Sequence, residues 1–345
     1  MKRPMPILLV LASGLTLATG ASAAKLLLIT GAGATFPYPI YSKWFAEYAK
    51  ADPTVNFNYQ SIGSGGGVRQ ITAKTVDFGA SDGPMTDEEL KQASGELLHL
   101  PTVLGGVVVI YNIPGVTAKL DLTQKALADI FLGKITRWND AALASANANV
   151  TLPNQPIIVV HRSDGSGTTY IWTDFLAKVS PAWANRVGRG KSVNWPIGLG
   201  GKGNEGVAGL VKQTPYSMGY VELGYALQNQ LAYARVENAA GEFIECTPAT
   251  VTQAAAGAMA TMPPDFRVSI TNTPARGAYP IASFTWLLVY REQENAVKGR
   301  ALVNFLRWML HEGQQYASSL GYAPLPPEII KLEEATIEHI RISTQ

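Results

Sequence analysis

Three stretches of this sequence place glycines and small hydroxyl residues where a loop runs into a helix, a pattern suited to holding an anion. The first is Gly31-Ala32-Gly33-Ala34-Thr35-Phe36-Pro37, ahead of an aromatic helical stripe. The second is Ser61-Ile62-Gly63-Ser64-Gly65-Gly66-Gly67, followed by Val68 and Ile71 at helical spacing. The third, His161-Arg162-Ser163-Asp164-Gly165-Ser166-Gly167-Thr168-Thr169, follows the apolar run Ile157 to Val160 and precedes Ile171 and Phe175. A helix start offers backbone N–H groups without internal partners and the positive end of a dipole. Ser64, Ser166 and Thr168 add hydroxyl donors, and the glycines let bare backbone approach an oxygen closely. Arg162 brings one full positive charge in a planar fork matched to two oxygens, and Asp164 is near enough to hold that fork. The competing role for each Ser and Thr is to cap its own helix, and spacing alone does not separate the two.

Asp82, in Val76-Asp77-Phe78-Gly79-Ala80-Ser81-Asp82, is the discordant residue, because a carboxylate repels an anion. The conflict disappears if the bound oxyanion keeps a proton. Hydrogen phosphate can donate to a carboxylate oxygen; fully ionised sulfate cannot, and two acceptors would face each other at a cost of several kcal/mol. The competing role for Asp82 is an N-cap for a helix over Met85 to Leu90.

Other chemistry finds no support in the motifs. Gly188-Arg189-Gly190-Lys191-Ser192 contains GKS, but Asn185 stands where a P-loop needs its first glycine. Gly198-Leu199-Gly200-Gly201-Lys202-Gly203-Asn204-Glu205-Gly206 lacks the Lys-Ser/Thr ending and reads as a tight loop between lobes. A nucleophile elbow is absent, since Ile62 and Asp164 replace the first glycine before Ser64 and Ser166. His99, His161, His311 and His339 are scattered without ligand spacing, so neither a metal centre nor a base for a catalytic serine is indicated. Cys246 is the single cysteine and reads as a buried, unreactive thiol.

These loops need a scaffold, and the 345-residue chain is long enough for two domains. Val55 to Tyr59, Val107 to Tyr111, Ile157 to Val160 and Trp286 to Tyr290 read as strands. Tyr41, Trp44, Phe45 and Tyr48, and again Leu302, Phe305, Leu306 and Met309, mark one face of a helix. Strands alternating with such helices give an α/β architecture. The alanine-rich stretch 141–148 reads as a surface helix or loop, and 238–280, with five prolines, is the least patterned region. Residues 1–23 read as a cleavable secretory signal: Lys2 and Arg3, an apolar run to Ala18, then Ala21-Ser22-Ala23. That segment takes two of the 28 basic residues and none of the 26 acidic ones, leaving a neutral chain. Nucleic-acid binding therefore loses its electrostatic drive.

The chain resembles the PstS family, the phosphate-specific substrate-binding proteins of bacterial ABC importers. The resemblance is carried by TGAGATFPYPIYSKW from Thr30, YQSIGSGGGVRQI from Tyr59, VDFGASD from Val76 and PTVLGGVVVIYNIPG from Pro101. LGKITRWND from Leu132, RSDGSGTTY from Arg162 and NWPIGLGGKGNEGV from Asn194 continue it over essentially the whole chain after the signal. It implies a two-lobed periplasmic binding protein of type II. Each lobe would be a mixed sheet flanked by helices, with a ligand cleft between them and two chain crossings as hinge. Lobe one would comprise 24–109 and 280–345, lobe two 110–279.

Carried over by motif position, Thr35 and Phe36 would supply backbone N–H groups, with a hydroxyl from Thr35. Ser64 would supply hydroxyl and N–H, and Asp82 would accept the phosphate proton. Arg162, Ser166, Gly167 and Thr168 would come from the second lobe, with Asp164 restraining the arginine. The family implies a monomer without cofactor, metal or catalysis, located in the periplasm. It would deliver inorganic phosphate to transmembrane permease subunits driven by a cytoplasmic ATPase. The alternatives are capture of arsenate or sulfate, or a secreted phosphatase using Ser64 or Ser166. His161 departs from the family, where another basic residue often stands, and so does Gly83-Pro84-Met85 after the acidic residue.

Overall fold

One strand belongs to both halves of the molecule. In the computed structural model, which describes residues 26–257 and 262–344, β4 (Leu97–Asn112) runs for 16 residues, all but two buried. The chain before it builds β1 (Leu27–Gly33), α1 (Tyr38–Ala51), β2 (Val55–Ser61), α2 (Ser64–Thr72), β3 (Phe78–Ser81) and α3 (Asp87–Lys91). After it come β5 (Asp121–Leu122), α4 (Gln124–Phe131), α5 (Ala141–Ala146), β6 (Ile158–Arg162), α6 (Gly167–Val179) and α7 (Pro181–Arg186). Next are β7 (Leu199–Gly201), α8 (Gly203–Gln213), β8 (Ser217–Glu222), α9 (Leu223–Asn229), β9 (Ala232–Tyr233), β10 (Arg235–Glu237), β11 (Phe243–Ile244) and α10 (Pro248–Ala256). The chain ends with β12 (Ala282–Tyr290), β13 (Glu292–Gln293), α11 (Ala296–Leu310), α12 (Pro327–Glu338) and β14 (Arg341–Ile342).

The main sheet has the order β2-β1-β3-β12-β4-β8-β6-β7, with β9 also on β4. Residues 97–106 of β4 pair antiparallel with β12, and 107–112 pair antiparallel with β8. β1, β2 and β3 are parallel to one another, as are β6, β7 and β8, so each half is a mixed half-sheet. The carboxyl ends of β1, β2, β3 and β6 feed the three glycine loops and Asp82. That is where open α/β sheets present ligand sites.

The strand and helix expectations hold, with longer bounds. β4 begins ten residues before Val107, and its early part escapes periodicity because Pro101, Gly105 and Gly106 interrupt it. Pro101 is tolerated because the β4–β12 register shifts beside it, between Thr285 and Trp286, where a bulge needs no ladder N–H. Tyr41, Trp44 and Tyr48 are buried on α1, and Phe45 stacks on Phe57 at 4.9 Å. The 238–280 region is better built than its composition suggests: α10 buries Val251, Ala254 and Ala255 against β4 and β12. Residues 262–272 form a strap touching both halves. Arg267 bonds the Met85 carbonyl and Asp87, while Ser269 and Thr271 bond Asp174 on α6. Cys246 is buried against Gly106, and burial pushes its thiol pKa well up, in line with an unreactive role. The signal segment 1–23 lies outside the described residues; among those described, no helix is long and apolar enough to cross a membrane.

One core residue works against the fold. α12 turns Ile329, Glu333 and Ile337 inward, and both Glu333 carboxyl oxygens lack a hydrogen-bond partner among the described residues. Burial raises its pKa well above the usual range, so it is carried as the neutral acid. An unsatisfied buried polar group costs about 1–3 kcal/mol. Glu333→Met, similar in volume, should raise the midpoint of thermal unfolding by about 2–4 °C, read by calorimetry at neutral pH.

Candidate functional site

The three glycine loops and Asp82 converge on one buried cluster between the half-sheets. Thr35, Ser64, Asp82, Arg162, Ser166 and Thr168 are each no more than 3% exposed, although none is a core hydrophobe. Ser64 joins the halves: its Oγ accepts from the Gly167 amide at 3.0 Å and from the Asp82 amide at 3.2 Å. The N-cap of α2 is Gly63, not Ser64, so this hydroxyl is not spent on its own helix. Ser166 does cap α6, its Oγ accepting from the Thr169 amide at 3.0 Å, which leaves the hydroxyl proton to donate elsewhere.

Glycine is required here by close approach. The Gly65 amide donates to the Gly165 carbonyl across the halves at 2.9 Å, and a Cβ on Gly65 would lie 3.2 Å from the Gly165 Cα. A Cβ on Gly167 would lie 2.5 Å from Ser64 Oγ.

The first loop is held from behind by three tyrosines. Tyr59 donates to the Ala34 carbonyl at 2.7 Å, Tyr225 to Thr35 at 2.6 Å and Tyr322 to Phe36 at 2.7 Å. In a trans peptide the N–H of the next residue points opposite to the carbonyl. The Ala34 and Thr35 anchors therefore aim the Thr35 and Phe36 amides away from the tyrosines. Those two amides, with Ser64 and Thr168, carry no backbone hydrogen bond among the described residues.

Arg162 ends β6 with its guanidinium fixed. Nε and one terminal nitrogen donate to the two Asp164 oxygens at 2.8 and 2.5 Å, and the other terminal nitrogen to Thr168 Oγ1 at 3.3 Å. Three of five N–H groups are engaged, and two remain. Burial raises the Asp164 pKa, but its bonds to Arg162 and the Gly203 amide outweigh that and hold it below the usual carboxylate value. His161 adds no second charge, since burial lowers its pKa.

Asp82 is not the cap of α3. Thr86 is, with Glu89 completing a capping box, and Asp82 lies five residues before that helix. Its Oδ1 accepts from Thr285 on β12 at 2.9 Å, and Oδ2 lies 3.4 Å from Ser64 Oγ. Burial pushes its pKa up to about 7, against the pull of Thr285, Arg162 and Ser64.

Two participants escaped the sequence reading. Asn204 donates to Thr35 Oγ1 at 2.8 Å and to Thr168 Oγ1 at 3.2 Å. It sits at the start of α8, so the glycine-rich stretch 198–206 is a strand running into a fourth helix start, not merely a loop between lobes. Thr285 lies about 200 residues from Asp82 and is brought to it by strand pairing alone. Chemically, the cluster offers amides, hydroxyls and half a guanidinium as donors, and, among the described residues, one carboxylate not already paired with a cation, Asp82.

A carboxyl whose pKa rises on folding stabilises the native state fully below its unfolded pKa, and that contribution is lost as pH rises through the folded value. Asp82 moves from 3.8 to about 7. In oxyanion-free buffer, denaturant unfolding should show the parent losing a few kcal/mol relative to Asp82→Asn between about pH 4 and about pH 8.

Residues 17–312 match the model of the PBP superfamily domain. The phosphate-binding protein PstS of Pasteurella multocida is 49% identical over 308 residues, covering 89% of each chain. A high affinity periplasmic phosphate-binding protein solved with phosphate has a TM-score of 0.71 at 21% identity, covering 90% of this chain and 93% of that one. An ABC-type phosphate transport receptor from Vibrio cholerae has a TM-score of 0.55 at 18% identity, covering 86% of this chain and 100% of that one.

Proposed function

The chain belongs to the PstS family of phosphate-binding proteins, within the PBP superfamily, and on that premise we propose that it captures inorganic phosphate and delivers it to an ABC import permease. The observation that carries this reading is the meeting of donors from both half-sheets with one buried acceptor. Thr35, Phe36 and Ser64 face Arg162, Ser166 and Thr168, with Asp82 between them, while the Gly167 amide, expected to bind the anion, donates instead to Ser64 Oγ. Lobe one is 24–109 with 280–345, and lobe two is 110–279; the handover of β4 from β12 to β8 at residues 106–107 supports this division. The first 23 residues direct export to the periplasm, where the protein acts as a monomer and without catalysis.

The two remaining N–H groups of Arg162, the four amides and the hydroxyls of Thr35, Ser64 and Ser166 bind the oxygens. Asp82 accepts the phosphate proton. Sulfate brings no proton, so it can pair with Asp82 only after the carboxyl has taken one from solvent. Ser64 acts as a donor rather than a nucleophile, because its lone pairs accept from the Gly167 and Asp82 amides. Closure brings the two donor sets onto one anion, so affinity and shape are linked.

Phosphate should raise the thermal unfolding midpoint of the parent in proportion to the logarithm of its concentration. Arg162→Ala should lose most of that shift and weaken binding at least about a hundredfold, since a buried charged hydrogen-bond partner is removed. Parental affinity in this variant would refute the role of Arg162, and no response of the parent to phosphate would refute the function. Calorimetric titration should show sulfate binding strengthening as pH falls below about 7, when Asp82 gains its proton. Asp82→Asn should abolish that pH dependence and lower the phosphate-to-sulfate preference at neutral pH.

A further inference from the structure

The Gly188-Arg189-Gly190-Lys191-Ser192 stretch has the letters of a nucleotide loop without its spacing, yet its geometry assigns it other work. It is built onto the second half. The Lys191 carbonyl accepts from the Ser166 amide at 2.8 Å, the Gly190 amide donates to Thr173 Oγ1 at 3.1 Å, and Arg189 pairs with Asp174 at 2.9 Å. Lys191 thus supports from outside the loop that starts α6.

Its side chain leaves that frame and crosses to the first half. Nζ donates to Glu89 Oε2 at 2.7 Å and to the Pro84 carbonyl at 3.2 Å. Pro84 lies two residues beyond Asp82, and Glu89 is the capping-box residue of α3. The Lys191 side chain is 12% exposed and that of Glu89 31%, so the pair is more shielded than the exposed surface bridges of this chain. It borders a groove of about 430 Å³ between the halves, lined by Gly65, Arg69, Gly165 and Lys191 among others.

We infer that Lys191 is the clasp of the closed form: a positioning residue that never touches the anion but sets how long the halves stay shut over it. The inference rests on the proposed capture of phosphate between the lobes. A bond formed only when the halves meet favours the closed state by its full worth. Because Lys191 holds the Ser166 loop by its carbonyl and the loop behind Asp82 by its ammonium, opening must break the second bond. Its loss is therefore read in the release rate, whereas a charge that merely attracts the anion is read in the association rate.

The test uses stopped-flow measurement of inorganic phosphate association and release by the protein. Lys191→Met should speed release about three- to tenfold, and Glu89→Gln, whose amide oxygen still caps α3 and still faces Lys191 but carries no charge, should speed it by less, about two- to threefold. Association should stay within about twofold of the parent, and the phosphate-to-sulfate preference should not change. The double variant Lys191→Met/Glu89→Gln should be no faster than Lys191→Met alone, because without the ammonium the charge at residue 89 has nothing across the halves to attract. The charge exchange Lys191→Glu/Glu89→Lys should recover part of the parental lifetime. Parental release rates in both single variants, or slower association with release unchanged, would overturn the clasp while leaving phosphate capture standing. A parent that binds no phosphate would overturn both.

Discussion

A site made mostly of neutral dipoles works only if those dipoles are aimed before the ligand arrives, and here the aiming is done from behind. The carbonyls of Ala34, Thr35 and Phe36 are each tied to a tyrosine hydroxyl, from β2, α9 and the segment before α12 respectively. Planar trans peptides convert the first two anchors into a direction for the Thr35 and Phe36 amides. Pro37 ends the run because it has no amide to aim. Because these donors need no reorientation, their interaction with an anion is not offset by the entropy of ordering them. The α/β scaffold serves the same constraint by collecting several strand ends and helix starts at one place.

Charge is used sparingly around that frame. Among the described residues Arg162 is the only cation within the cluster, and Asp164 neutralises part of it while fixing its plane. His161, which stacks on Trp195 at 4.6 Å, is kept neutral by burial. The result is a buried centre in which dipoles act at low effective dielectric, where each is worth more than in water. Asp82 is the carboxylate set among these donors. It is buried and bonded by Thr285, and burial lifts its pKa to about 7, so its charge answers to pH near neutrality.

The local parts of this design were legible in the sequence and the nonlocal parts were not. The glycine and hydroxyl runs before Tyr41, Val68 and Ile171 advertised three helix starts, because capping chemistry is written within a few residues. Asp82 admitted two roles, and only its position in the fold, with Thr86 capping α3 instead, separates them. Asn204 stayed hidden since its flanking glycines resemble a connector, and a three-residue strand, β7, leaves almost no periodic trace. Thr285 and the three tyrosines carry no local sign of their part. Strand pairing across some 200 residues brings Thr285 to Asp82, and tertiary packing brings the tyrosines to the first loop. β4 was half read for a different reason: Pro101, Gly105 and Gly106 broke the pattern that its last six residues display.

The contact of Gly65 with Gly165 sets a mechanical limit on this molecule. Where the two halves meet there, main chain presses on main chain, joined by the Gly65 amide and the Gly165 carbonyl. No rotamer can swing aside at such a boundary, so the spacing of the shut jaws has no adjustable part. On the proposed capture of an anion between the halves, that fixed spacing would act as a ruler for the guest's radius.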